Sequence, residues 1–240
     1  MTLGAAGQTE DARNHICDKL SWAVMEVVLI SASFIFLSYT IMDLVHLSTY
    51  LDPRVDVAEF YWVAPMIGGT FAQLLLVLTA AIFLPTVRDA IRATAKTGNR
   101  KAWAIALAAA LIHIGTAVLF FVKEPGRILE PSSLNALFSS IPAIDGWTQE
   151  VIFRGYVILR LAKAEGPDWL KIAISAALFA AIHIGYVEAG LAGAFWPLIG
   201  TAMLGGFLAW AVIVGKGALL PVVVAHALVI AVLQPWLALS

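Results

Sequence analysis

The sequence predicts an all-α fold, a polytopic transmembrane bundle of about seven to eight helices, and three observations predict it. Hydrophobic residues make up 61% of the 240 residues and charged residues 13%, against roughly 45–50% and roughly 25% in soluble domains. The mean hydropathy is +0.89. The apolar residues fall in continuous runs close to the roughly 20 residues that carry a helix across a bilayer, not in the alternation of a membrane barrel.

The runs follow in order along the chain. Residues 1–19 are polar and slightly acidic, and the run 20–44 behind them is too long for a signal-peptide core, so it is expected to stay as the first span. The second and third, 60–84 and 102–122, flank a basic connection. The fourth, 147–162, is short for a crossing, and the stretch 131–144 before it offers Ser132 and Ser133 as caps for a separate brief helix. The fifth and sixth are 169–187 and 191–214, the latter expected to break at Trp196-Pro197 and Gly205-Gly206. The seventh is 218–237, and no linker divides the chain, so 20–240 reads as one transmembrane domain.

Charge sets the expected orientation, because cytoplasmic loops carry the excess of Lys and Arg. With 1–19 cytoplasmic, the inner segments hold Arg13, Lys19, Arg88, Arg92, Lys96, Arg100, Lys101, Arg160, Lys163, Lys171 and Lys216, and the outer loops only Arg54, Lys123 and Arg127. The expectation is a multi-pass protein of the plasma (inner) membrane. A net charge of −1 leaves no basic surplus for a nucleic acid, and a lone cysteine, Cys17, gives no disulfide framework. The partners expected are the bilayer and a peptide or protein substrate in or near it.

Ionisable groups inside a span are costly and mark candidate sites. Asp43 and His46 lie near interfacial water, Glu26 sits near a helix start, and His113 reads as a core histidine, although Ile112-His113-Ile114-Gly115 echoes Ile182-His183-Ile184-Gly185. Glu150, Arg154, His183 and His226 differ because they cluster. Glu150 and Arg154 are four apart on one helix face. By position in their runs, Glu150, His183 and His226 are expected in the same, outer half of the membrane.

These residues carry a resemblance. Gln149-Glu150-Val151-Ile152-Phe153-Arg154, Phe179-Ala180-Ala181-Ile182-His183 and His226-Ala227-Leu228-Val229-Ile230 resemble the three ordered motifs of the type II CAAX prenyl endopeptidases, or CPBP intramembrane proteases: Glu-Glu-x-x-x-Arg, Phe-x-x-x-His and His-x-x-x-Asn. The resemblance implies a helical endopeptidase in which a glutamate and a histidine activate water. Two positions depart from it. The first glutamate, the family's base, is Gln149, and the closing asparagine, which helps hold the oxyanion, is Ile230. An amide does not accept a proton at neutral pH, and an alkyl group donates no hydrogen bond.

The catalytic set expected is Glu150 as base, Arg154 holding it ionised, His183 orienting water and His226 donating to the oxyanion or the leaving group, with Gln149 and Gln234 as polar contacts to substrate or oxyanion. No cofactor is required on this reading. The minor alternative is zinc on Glu150, His183 and His226. Two other classes compete: a catalytically silent relative that binds a substrate or membrane partner, and a transporter or proton path.

Overall fold

The computed structural model describes the backbone of residues 4–50, 63–120, 133–185 and 191–239, and the side chains of 16–44, 67–120, 140–141, 143–185 and 194–233. Within these the chain is helical and without strands. The elements are α1 (Gly4–Tyr50), α2 (Val63–Phe83), α3 (Pro85–Ala93), α4 (Arg100–Phe120) and α5 (Ser133–Gln149). A π-helical turn (Glu150–Tyr156) follows, then α6 (Val157–Lys163), α7 (Asp168–Ala181), α8 (Leu191–Val214) and α9 (Leu220–Leu239). Among the described residues, Ile16–Leu44, Arg100–Phe120 and Ala194–Val214 are long and apolar enough to cross a membrane; Ile67–Phe83 and Leu220–Leu233 are shorter apolar helices. Large side chains such as Phe83, Leu119 and Phe120 stay exposed on the bundle's outside, as a surface facing lipid tails requires. The protein is a helical membrane bundle.

Three expectations are corrected. The stretch 131–144 is not a separate element: from Ser133 the helix runs through the π turn to Lys163 without a gap. The sixth run does not break, because α8 continues through Pro197, whose carbonyl accepts the Thr201 hydroxyl at 3.0 Å. Gly205 serves packing instead. The third correction is an addition, the amphipathic helix α3, which starts on Pro85 at its first turn and buries Val87, Ala90 and Ala93 while exposing Arg88 and Arg92. Pro has no N–H to lose at that position, which makes it a good starter.

The π turn is the centre of the core. All seven of its residues are buried, and the wide turn is closed by Val157 N–H bonding to the carbonyl of Ile152, five residues back. Such an insertion swings side chains out of the ordinary helical rows, and π turns recur at functional sites for that reason. Its neighbours hold it from several sides. Ser175 on α7 donates to the Phe153 carbonyl at 2.7 Å. A Cβ on Gly155 would stand 2.5 Å from Ala90 Cβ and 2.9 Å from Leu219 Cδ1, so only glycine lets α3 and the start of α9 approach this closely. From α1, Glu26 accepts the Tyr156 hydroxyl at 2.9 Å and the Arg160 guanidinium at 2.7–2.8 Å. Glu26 is a clamp between helices.

Basic loops gather at one end of the bundle. Lys19 pairs with Glu165 and Lys163 with Asp89, each at 3.2 Å, and Asn99 donates to the Val214 carbonyl at 2.8 Å. Segments assigned to one side by charge alone therefore meet in space. Residues 51–62 and 121–132, with Arg54, Lys123 and Arg127, lie outside the described residues, as do the side chains of His46 and Gln234.

Candidate active site

Glu150 opens the π turn, and its Oε1 is shared. Arg154 Nη1 lies 3.0 Å away and His226 Nδ1, from α9, lies 2.8 Å away. Both the glutamate and the arginine are fully buried. A carboxylate can only accept, so His226 Nδ1 carries the hydrogen and Nε2 is the ring's other nitrogen to work with. Glu150 Oε2 has no hydrogen-bond partner among the described residues. Arg154 is also underused: its approach to Oε1 is a charge contact without an aligned hydrogen bond, and Nε and Nη2 have no hydrogen-bond partner among the described residues.

What holds Arg154 instead is a ring. Its guanidinium carbon stands 3.8 Å from the centroid of Phe179, a cation–π contact strengthened by exclusion of water. The edges of Phe179 then organise the histidines. His183 lies 4.9 Å from it and His226 5.3 Å, both edge to face. His183 Nδ1 sits 2.9 Å from the Phe179 carbonyl. A carbonyl only accepts, so Nδ1 carries that hydrogen and the neutral ring keeps its lone pair at Nε2. The second motif thus supplies two parts of the site, the aromatic seat and the histidine.

Glycines make the convergence possible. A Cβ on Gly205 would come 3.0 Å from Phe179 and 3.3 Å from Arg154 Nη2; one on Gly146 would come 2.8 Å from Ile230 and 3.7 Å from the His226 ring. Helices α8 and α5 close on the site through these gaps.

The expected residues are therefore brought together in part. Arg154, His226 and His183 surround Phe179, and Glu150 joins them through Arg154 and His226. Gln149 is buried beside them, its Oε1 without a partner. Gln234 belongs to α9, but its side chain is outside the described residues. Ile230 fills its place with hydrocarbon packed on Gly146. The expected depth is corrected, since Glu150 follows 17 helical residues of α5 and is not near a helix start. Arg154 lies nine residues from the end of α6 and His226 six from the start of α9, both at the basic end, or roughly 14 Å and roughly 9 Å in at 1.5 Å per residue. The cluster occupies the middle of the bundle.

Two further groups lie near the site, His113, expected only as a core histidine, and Asp145, which the sequence did not single out. His113 on α4 faces the backbone of Gly200 on α8, where a Cβ would be 3.5 Å from its ring, and it is within electrostatic reach of His226 and His183. The Ile-His-Ile-Gly echo was the available signal. The other is Asp145, one turn before Gln149, which accepts the Thr70 hydroxyl at 3.0 Å.

The zinc set does not fit this arrangement. Glu150 Oε1 and His226 Nδ1 bond to each other, so that pair would have to ligate through its remaining atoms, as would His183, whose Nδ1 meets a carbonyl. Among the described residues no three His, Cys, Asp or Glu side chains converge as metal ligands.

No curated protein and no solved structure matches the chain. A family model does: residues 131–232 match the one described as type II CAAX prenyl endopeptidase Rce1-like. That span takes in α5, the π turn and everything through His226, hence Glu150, Arg154, Phe179, His183, His226 and the departures at Gln149 and Ile230. Over residues 131–232 the chain is thus similar to the type II CAAX prenyl endopeptidases of the Rce1-like family.

Proposed function

We propose that the protein is an intramembrane endopeptidase that cleaves a membrane-proximal or lipid-modified peptide. The single observation that carries this reading is Glu150: a fully buried carboxylate with one oxygen held by Arg154 and His226 and the other left as an unmatched acceptor. A water molecule is the smallest donor that satisfies Oε2. In the proposed step, that water gives a proton to Glu150 Oε2 as its oxygen attacks the scissile carbonyl carbon. His183 Nε2 orients the water as a second acceptor. The same proton passes to the leaving amine as the C–N bond breaks, and His226, in the form that carries a hydrogen on both ring nitrogens, donates from Nε2 towards the oxyanion. Arg154 holds its positive charge 3.0 Å from Glu150 Oε1. No metal or other cofactor is assigned a role, and the protein is placed in the plasma (inner) membrane with 1–19 cytoplasmic.

A second reading has its own support, because Gln149 replaces the family's base and Ile230 puts hydrocarbon where a donor would stand. On that reading the cavity binds a peptide or membrane partner and does not cut it. One assay separates the two. The purified protein in nanodiscs is given a membrane-anchored peptide with a prenylated C-terminal tail, and cleavage is followed by mass spectrometry. Cleavage by wild type, with a loss of about 10²–10⁴-fold in Glu150→Gln, supports the enzyme. Cleavage only in Gln149→Glu or in Gln149→Glu with Ile230→Asn supports the silent relative. Wild-type cleavage that survives Glu150→Gln removes Glu150 as the base.

A further inference from the structure

We propose that a polar belt between α2 and α5, adjoining the Glu150 cluster, binds one monovalent cation, Na⁺, between Asp145 and Gln149. Asp145 is partly buried, and its two oxygens differ: Oδ2 accepts the Thr70 hydroxyl at 3.0 Å, whereas Oδ1 is buried with no partner among the described residues. Gln149 is one helical turn further along the same face, only 9% exposed, with its Oε1 equally unmatched. Thr148 between them donates to Gln73 Oε1 on α2, or to the Asp145 carbonyl, at 2.9 Å. Among the described residues, two buried acceptors on successive turns thus lack a positive partner, and the partner of the belt's carboxylate is a hydroxyl.

The chemistry of the belt selects the occupant. Carboxylate, amide carbonyl and hydroxyl oxygens are ligands for hard cations, and no imidazole or thiol is among them. One carboxylate balances one positive charge. A divalent ion would leave a buried surplus that only further acids could offset. Asp145 is only partly buried as a residue, although Oδ1 itself is covered. A proton competes for that oxygen, since protonated Asp145 could donate to Gln149 Oε1. The groups facing the belt are Thr70 and Gln73 from α2, and His226 with Ile230 where α9 packs on Gly146; Glu150 is the next acid along the helix. The site is independent of whether the protein cleaves peptides.

The test uses the full chain in detergent, with Tm followed by tryptophan fluorescence in NaCl or choline chloride at equal ionic strength, from pH 6 to pH 9. A saturable rise specific to Na⁺, about 5–10 °C once its concentration is 100-fold above Kd, is expected. Asp145→Asn, which keeps the shape and removes the charge, abolishes the dependence, and Gln149→Leu weakens it. Identical Tm in the two salts at every pH overturns the proposal. A Tm that follows pH alone overturns it as well, because the occupant is then a proton. If Asp145→Asn does not fold, broadening of the ²³Na resonance by wild type and its reduction with Gln149→Leu make the same decision; no broadening by wild type overturns the site.

Discussion

Glu26 and Glu150 are both glutamates paired with an arginine inside a helical bundle, and they are built in opposite ways. Glu26 uses both oxygens: Oε1 takes the Tyr156 hydroxyl and Oε2 takes Arg160 twice, through Nε and Nη2. Its side chain is 36% exposed, so water shares the load. Glu150 has no exposure, crowds two partners on one oxygen and leaves the other bare, while its arginine rests on a ring. A saturated pair holds helices together. An unsaturated buried pair is an expensive way to hold anything, and the unmet atoms show where a ligand or a water would be bound.

Substitutions can break this contrast at either end. The largest effect is expected for Arg154→Ala, which leaves the buried Glu150 without its cation and should cost about 3–5 kcal/mol; detergent unfolding monitored by circular dichroism measures it. If the loss is below about 1 kcal/mol, the pair is wetter than the structure has it, and the contrast with Glu26 fails. The second effect is at the glycine seat. Gly155→Ala puts a methyl 2.5 Å from Ala90, and overpacking of this kind should cost about 1–3 kcal/mol, visible in the same melt. Glu26→Gln comes third, at about 1 kcal/mol, since the amide still accepts from Tyr156 and solvent reaches Arg160. The smallest change in stability, and the sharpest test, is the double variant Glu150→Leu with Arg154→Met. Removing both charges together should leave stability near wild type or above it, while cleavage or partner capture disappears. Retained function in that variant would show that the pair is only a packing device.

The motif residues could be read from the sequence because charge inside an apolar run is conspicuous. Glu150, Arg154, His183 and His226 all stand out that way, and three of the four meet around Phe179 through contacts the spacing permits. Other features left weaker traces. The π turn inserts one residue into a helix, which alters no composition and no average over a window. Helix α3 is short and half polar, so a search for long apolar runs passes over it, although Pro85 with Val87, Ala90 and Ala93 gave a start signal and a buried stripe. Asp145 was overlooked because it falls beside the boundary expected at 147, and that boundary does not exist: the helix begins at Ser133. His113 read as solitary because its partners, His226 and His183, are on other helices and more than 60 residues away.

The four-residue spacing of Glu150 and Arg154 also bears on how the chain enters the membrane. The π turn is synthesised before α7 and α9, so at that stage neither Phe179 nor His226 exists to receive the guanidinium. An arginine at the centre of an inserting helix costs roughly 2.5–3.5 kcal/mol on the biological insertion scale. Here the counter-charge is made one turn earlier in the same segment, and the two are 3.0 Å apart in the finished protein. The helix can therefore leave the ribosome as a locally neutral segment, and the later helices inherit a charge that has already been masked.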